Sequence, residues 1–148
     1  MVGVTSTGRE ACGVAVSQGL VRLSLAQEGE GLAECLAAAD VSLWRWFGDG
    51  SSCNALFVTD NLPDWSDLKK SLQQRFGPTL EITENLAAVS AVGIGLGSAS
   101  QTMRGLQEAA RARVAVLGID NSPLRMTFLV RPDDALTLAR SLHSVFVA

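Results

Sequence analysis

Residues 124–146 read LRMTFLVRPDDALTLARSLHSVF: a β-type apolar run, then a proline with two aspartates, then apolar residues at helical spacing. The proline fixes its own φ and the aspartates suit the positive end of a helix, so this pattern predicts a strand followed by a helix. The same order occurs upstream, where the run Ala55–Val58 is followed by a Pro-Asp pair at 63–64 and a helical stripe that stops at Gly77. The chain therefore contains an internal repeat.

The residues around these two stretches predict two repeats of strand, helix, hairpin and helix. In the first repeat the elements are predicted at Leu20–Ala26, Leu32–Ala39, Val41–Phe47, Ala55–Val58, Pro63–Phe76 and Thr79–Glu84. In the second, the strands are Leu86–Ile94, Val114–Ile119 and Leu124–Val130. Its helices direct Met103, Leu106 and Ala110, and then Leu138, Leu142 and Val145, toward a core.

The second repeat ends on a helix and lacks a fourth strand of its own. The short β-run Gly13–Ser17 precedes the first repeat without a partner, so we expect it to complete the second sheet. The predicted domains are therefore 20–84, as an inserted repeat, and 11–19 together with 85–148. The predicted fold class is α+β, with two ferredoxin-like βαββαβ repeats whose antiparallel sheets carry helices on one face.

The predicted strand 41–47 raises the question of what covers the other face of the sheet. Strict alternation places Leu43 and Phe47 on one side and Trp44 and Trp46 on the other, so both faces are apolar. We expect another sheet or a second chain to cover the open face. Trp44 and Trp46 are accordingly interpreted first as sheet-covering or interface residues.

Composition limits the function classes. The 148 residues carry a net charge of −3 with 47% hydrophobic residues, so there is no basic field for nucleic acid or anionic lipid. The longest apolar stretch, 86–97, is well short of the ~20 residues of a membrane helix. Arg9 and Glu10 interrupt any signal-peptide core, and we expect a cytoplasmic protein.

Few residues suggest redox, metal or acid–base chemistry. Cys12, Cys35 and Cys53 are odd in number and widely spaced, which favours reduced thiols over disulfides or a zinc site. His143 is the sole histidine and is expected to pack or cap near a helix end. The acidic pair 133–134 is accounted for by its helix start, so we expect no metal ion and no cofactor.

The run VSAVGIG at 89–95 and the ending LHSVF at 142–146 resemble the second ACT repeat of aspartate kinases. That repeat has a V-S-x-V-G-x-G strand and loop, and it ends on a helix with L-H-x-x-F. The resemblance is strong from about Leu86 onward and weaker from Cys12 to Glu84, and it includes no kinase half. The resemblance implies that this chain is the tandem ACT regulatory region of an aspartokinase, an enzyme that phosphorylates a carboxylate. It also implies that this chain carries no catalytic residues.

The resemblance also implies partners and a mechanism. It implies allosteric feedback by an amino acid, lysine or threonine, bound in a homodimer whose sheets pair side by side. An amino-acid kinase domain would lie in the same polypeptide or in a separate subunit. The ligand would shift the population of two states of the enzyme, and such coupling typically amounts to ~1–3 kcal/mol.

Matched position by position, the resemblance places effector contacts in the loop before the first helix and at the start of the next strand. The expected effector-binding residues are Gly29, Glu30, Gly31, Asp40, Val41, Ser42 and Trp44. Trp44 stands where lysine-sensing members carry an acidic residue, so a cation–π contact would replace an ion pair. In the second repeat Arg113-Val114-Ala115 replaces the usual Gly/Asn-Ile-Asn, and most of its polar contacts are missing.

Three other functions compete with this one. The chain could be a free-standing ACT-like module that dimerises without binding an effector. An acyl-phosphate hydrolase on this fold would need an arginine in its phosphate loop, and 95–100 contains none. The glycines at 93, 95 and 97 follow a strand, but their spacing is not the G-x-G-x-x-G of dinucleotide sites.

Overall fold

The computed structural model describes residues 13–60 and 62–147, so Arg9, Glu10 and Cys12 lie outside the described residues. The strands are β1 (Gly13–Leu25), β2 (Arg45–Gly48), β3 (Cys53–Val58), β4 (Leu80–Val92), β5 (Gly118–Ser122) and β6 (Arg125–Val130). The helices are α1 (Glu30–Ala38), α2 (Trp65–Phe76), α3 (Ala99–Arg111) and α4 (Ala135–Phe146). Two short 3-10 turns, Gly77–Thr79 and Pro132–Asp134, follow α2 and precede α4.

The described chain folds as two compact units. We call 19–86 the inner unit and 13–18 with 87–147 the outer unit. The strand order is β2-β3-β1-β4 in the inner unit and β1-β4-β6-β5 in the outer unit. The α+β class, the antiparallel sheet and the four helices confirm the predicted fold class.

The inner unit has its core between one sheet face and the helices α1 and α2. Alternation along β1 directs Val21, Leu23 and Leu25 to that face, and β3 adds Ala55 and Phe57 by antiparallel pairing. Helical spacing brings further buried side chains from α1 and α2, namely Leu32, Leu36, Leu72 and Phe76. Each such buried side chain contributes roughly 1.5–3 kcal/mol of transfer free energy.

The outer unit repeats this arrangement with α3 and α4. Alternate residues of β4 and β6 form its sheet face: Ala87, Val89, Ala91, Met126, Phe128 and Val130. From α4, the expected Leu138 and Leu142 are buried together with Phe146, while Val145 is only partly buried. The face opposite the helices is buried as well, at Leu129 and at the cross-strand pair Ser90 and Thr127, whose hydroxyls lie 2.8 Å apart.

Two strands are longer than predicted. The runs expected at 13–17 and 20–26 form the single strand β1, and those at 79–84 and 86–94 form β4. Each long strand contains one residue with positive φ, Gly19 at 71° and Asn85 at 58°. These residue types adopt the left-handed region at low cost, so the strand direction changes locally while the strand continues.

The helix α3 buries a different face from the one predicted. Met103 and Leu106 are 54% and 42% exposed, whereas Gly105, Glu108 and Ala109 are buried. A Cβ on Gly105 would lie 2.6 Å from Cζ of Phe128, so glycine permits the helix to approach the sheet closely. Glu108 accepts a hydrogen bond from Ser141 of α4 at 2.9 Å and pairs with Arg111.

The edge strands β2 and β5 begin about four residues later than predicted, and the second hairpin turns at 123–124 rather than at 120–123. The late starts of β2 and β5 have the same cause in the two units. Asp40 and Arg113, just after α1 and α3, have φ of 54° and 60°. The amides of Val41 and Val114 then donate back to Leu36 and Ala109, as in a Schellman motif. The chain needs several residues after this motif to reach the sheet.

Candidate functional site

The inner unit contains a half-open cavity of about 230 Å³ at the C-terminal end of α1. The described residues that line it are Asp40, Ser42, Leu43, Trp44, Val58 and Leu62. Three of the seven predicted effector contacts, Asp40, Ser42 and Trp44, therefore share one cavity. Asp40 and Ser42 are polar residues, and the other four are apolar.

Asp40 reaches the cavity because of how α1 ends. Its amide donates to the carbonyl of Ala37 at 3.0 Å, and its φ of 54° turns the chain away from the helix axis. A non-glycine residue in this region is unfavourable, although aspartate tolerates it better than most. Arg113 after α3 has the same conformation, so this strain belongs to the helix end in both units and does not by itself mark a site.

The segment 41–44 is irregular, and this decides which side chains meet. A strand would send Leu43 and Trp44 to opposite faces, but β2 begins only at Arg45 and both residues line the cavity. The amide of Trp44 donates to the carbonyl of Leu56 on β3 at 2.7 Å and holds the segment against the sheet. Leu43, Val58 and Leu62 are cavity residues that sequence reasoning missed. Leu43 lines the cavity because of the geometry of the helix end, and Val58 and Leu62 line it because of the tertiary fold.

Val41 does not line the cavity. Its amide donates to the carbonyl of Leu36 at 3.0 Å as part of the helix end, so that group is already used within the chain. Its side chain is partly buried against the inner-unit core. The structure therefore gives Val41 a packing role.

The loop before α1, which holds the other three predicted contacts, is closely packed. A Cβ on Gly29 would lie 2.7 Å from Cζ2 of Trp46 and 2.8 Å from Sγ of Cys53, so only glycine fits there. The amide of Glu30 donates to Oε1 of Glu28 at 2.7 Å. That carboxylate lies at the positive N-terminal end of α1, where a negative charge is favourable.

Gly31 lies beside Arg75 of α2. A Cβ on Gly31 would be 3.0 Å from Nη2 of Arg75, whose Nη1 donates to Sγ of Cys35 at 3.1 Å. The guanidinium also lies over the ring of Phe76, with its Cζ 5.3 Å from the ring centroid. The N-terminal end of α1 thus combines two acidic side chains with one arginine.

The two groups of predicted contacts lie at opposite ends of one helix. The nine residues of α1 span about 13 Å at 1.5 Å per residue. The chain by itself therefore brings Asp40, Ser42 and Trp44 together and leaves Gly29, Glu30 and Gly31 at the other end of the helix.

The remaining chemistry-bearing residues are dispersed. Cys35 and Cys53 are free thiols, and burial, followed by the negative charge of Glu28, raises the pKa of Cys53. His143 is exposed in the last turn of α4. Residues 13–60 and 62–147 contain no group of three His, Cys, Asp or Glu residues that could hold a metal ion. Within the same ranges, no helix has the length and apolar character needed to cross a bilayer.

The sequence matches no protein-family profile and no curated protein. Solved structures do match. The regulatory subunit of aspartate kinase from Thermus thermophilus, in its ligand-free form, is 18% identical with a TM-score of 0.75, over 95% of this chain and 100% of that one. Aspartate kinase from Clostridium acetobutylicum is 14% identical with a TM-score of 0.78, over 98% of this chain and 37% of that one.

A third neighbour was solved with ligands. Aspartokinase III from E. coli, in complex with lysine and aspartate, is 22% identical with a TM-score of 0.72, over 97% of this chain and 35% of that one. The chain thus spans the whole of a separate regulatory subunit and about a third of each complete kinase. The resemblance drawn from the sequence is confirmed at the level of structure: this chain has the fold of the regulatory region of aspartate kinases.

Proposed function

We propose that this chain is the amino-acid-sensing regulatory region of an aspartate kinase. It acts in the cytoplasm as a homodimer and exerts feedback by binding lysine or threonine. The observation that carries the proposal is the match to a separate regulatory subunit over essentially the full length of both chains. A kinase domain, in the same polypeptide or as a separate subunit, is the partner that such a region controls.

The cavity at the end of α1 supports an amino-acid ligand. An amino acid has an ammonium group that a carboxylate attracts, and Asp40 is the one charged residue among the described residues that line the cavity. Ser42 adds a hydroxyl that can donate or accept. A cavity of about 230 Å³ is smaller than the roughly 300–1,000 Å³ of sites for drug-sized ligands, so only a ligand as small as an amino acid suits it.

A homodimer would bring the loop residues Gly29, Glu30 and Gly31 into the effector site. Gly29, Glu30 and Gly31 lie about 13 Å from the cavity along α1 of their own chain. In a dimer, the loop of a second copy can border the cavity of the first. The effector would then contact both chains, and its binding would stabilise the pair.

Calorimetric titration with lysine, threonine and methionine tests the proposal. We expect saturable binding of at least one of them, with one ligand per chain. A Trp44→Ala variant should weaken binding at least tenfold, whereas Asp67→Asn, an exposed change on α2, should leave it unchanged. Sedimentation velocity on the same samples should give twice the 15.6 kDa chain mass.

Two results would count against the proposal. Absence of binding by all three amino acids, with a dimer present, would favour the module that only dimerises. A monomer at all concentrations, with or without amino acid, would remove the role proposed for the loop of a second copy. The neighbouring reading frame gives an independent check, because an amino-acid kinase domain joined to or beside this chain is the expected partner.

A further inference from the structure

Two residues of the cavity wall are connected to β1 through one threonine. Val58 ends β3, Leu62 follows it in the next loop, and both line the cavity. Between them, Thr59 donates two hydrogen bonds to the carbonyl of Gly19, from its amide at 3.0 Å and from its Oγ1 at 3.2 Å. The amide of Leu62 donates to the carbonyl of Thr59 at 2.9 Å. Thr59 therefore joins the cavity wall to Gly19 by direct hydrogen bonds.

Gly19 is the point at which β1 passes from one unit to the other. Residues 13–18 of β1 belong to the outer unit, and the strand from Gly19 onward belongs to the inner unit. Gly19 has a φ of 71°, and Asn85, which lies near the other boundary on the neighbouring strand β4, has a φ of 58°. A residue with positive φ changes the local direction of a strand. The backbone angles of Gly19 therefore set the direction in which residues 13–18 leave the inner unit.

The inner unit holds Gly19 closely. A Cβ on Gly19 would lie 3.0 Å from Oδ1 of Asp60, the residue after Thr59. The next residue of β1, the fully buried Leu20, pairs with Val58 in the antiparallel register. A displacement of Val58 therefore moves Gly19 or breaks the hydrogen bonds that Thr59 donates to it.

This inference rests on the proposed function and concerns how its site acts on the rest of the chain. We infer that Thr59 is a positioning residue that couples the cavity to the bend at Gly19. An amino acid in contact with Val58 and Leu62 holds Thr59 in place. Thr59 in turn fixes the backbone of Gly19, from which residues 13–18 enter the outer unit. Because such coupling is reciprocal, a change at Gly19 must alter the affinity of the cavity for its ligand.

Hydrogen–deuterium exchange with and without amino acid tests the coupling through Thr59. At saturation with whichever of lysine, threonine and methionine binds, exchange of the amides of 13–18 should slow at least threefold. Thr59→Val keeps the branched shape and removes the hydroxyl, so it should still bind the amino acid but lose at least half of this slowing. Thr79→Val is the matched control, because the hydroxyl of Thr79 also donates to a backbone carbonyl, that of Phe76 at 2.6 Å. The control should respond as the unchanged protein does.

Gly19→Ala tests the coupling in the reverse direction. Alanine at a φ of 71° is strained, and its Cβ would press on Asp60, next to Thr59. We expect amino-acid binding to weaken at least threefold, although Gly19 is not among the described residues that line the cavity. Gly77→Ala is the matched control, because Gly77 has a φ of 58° and its Cβ would have no described atom within 4 Å beyond its chain neighbours. Melting temperatures verify that each variant is folded.

The outcomes separate this inference from the proposed function. If an amino acid binds but exchange of 13–18 does not change, or if Thr59→Val responds as fully as the unchanged protein, the inference is overturned while the proposed function stands. If Gly19→Ala binds the amino acid as tightly as Gly77→Ala, reciprocal coupling is absent and the inference is again overturned. If none of the three amino acids binds, the inference fails together with the proposed function.

Discussion

Arg113 occupies a backbone conformation that suits glycine better. Its φ of 60° follows α3, at the position where helices commonly end with glycine. We predict that Arg113→Gly raises the free energy of unfolding by about 0.5–1 kcal/mol, because relief of strain exceeds the added entropy of the unfolded chain. Thermal unfolding should show an increase of about 1–4 °C in the melting temperature.

Arg113→Ala is the control for this prediction. Alanine keeps the Cβ that makes the left-handed region unfavourable, so its melting temperature should stay close to that of the unchanged protein. An equal gain from alanine would mean that loss of the arginine charge, and not relief of strain, is responsible. Asp40 has the same conformation, and there we expect the strained residue to be retained for its carboxylate.

Glu84 ties β4 to α2. Its carboxylate accepts hydrogen bonds from Nζ of Lys69 and, at 2.8 Å, from Nε1 of Trp65. The hydrogen bond from Lys69, and after it the bond from Trp65, hold the pKa of Glu84 below its ordinary value. A carboxyl group with a lower pKa in the folded state stabilises the protein above its unfolded-state pKa of about 4.3, and this stabilisation is lost as the pH falls through the folded-state value.

We therefore predict that Glu84→Gln makes stability less dependent on pH between about pH 5 and pH 3. The difference is small, about 0–1 kcal/mol at neutral pH, because the pair is partly exposed. Urea unfolding at a series of pH values measures it. Glu81→Gln, on the same strand, is the control, and an identical pH profile for both variants would contradict the role given to Glu84.

The helix α3 is stabilised by a close approach to the sheet. Gly105→Ala should improve helix propensity by about 1 kcal/mol, yet the added methyl group would lie 2.6 Å from Phe128 and 2.9 Å from Met126. Because overpacking typically costs about 1–3 kcal/mol, we predict a net loss of about 0–2 kcal/mol in the free energy of unfolding, measured by chemical unfolding. Gln107→Ala, on the exposed face, should change stability by less than about 0.5 kcal/mol. A stabilising Gly105→Ala would mean that α3 is held less closely.

Several elements were predictable from local patterns of apolar residues. Short apolar runs predicted β3 and β6, and helical stripes predicted α2 and α4. The contact face of α3 was not predictable from apolar spacing, because the helix meets the sheet through Gly105 and Ala109 and leaves Met103 exposed. Small residues carry little weight in a hydrophobic pattern even when they decide the packing.

The starts of the edge strands β2 and β5 were predicted wrongly for a related reason. The starts of β2 and β5 depend on helix ends formed by Asp40 and Arg113, and neither residue type marks a helix end as glycine does. The residues of the candidate site were also predictable only in part. The resemblance points to Asp40, Ser42 and Trp44, which share one cavity, whereas Val58 and Leu62 enter it through strand pairing and a loop that no local pattern reveals.

The whole chain has the fold of separate regulatory subunits, which it matches over 93–95% of its length, and it spans about a third of each complete kinase. We propose that a chain with this fold binds an amino acid at the end of α1. The tryptophans test it, because Trp44 lines the cavity while Trp65 donates its indole N–H to Glu84.

This binding is measured most simply in a two-dimensional ¹H–¹⁵N spectrum recorded during titration with lysine, threonine and methionine, in which each of the three tryptophans contributes one indole signal. Assignment follows from Trp44→Phe and Trp65→Phe variants. We expect the Trp44 signal to move and to saturate with the amino acid, while the Trp65 signal stays in place. A Trp44 signal that does not respond to any amino acid would contradict it.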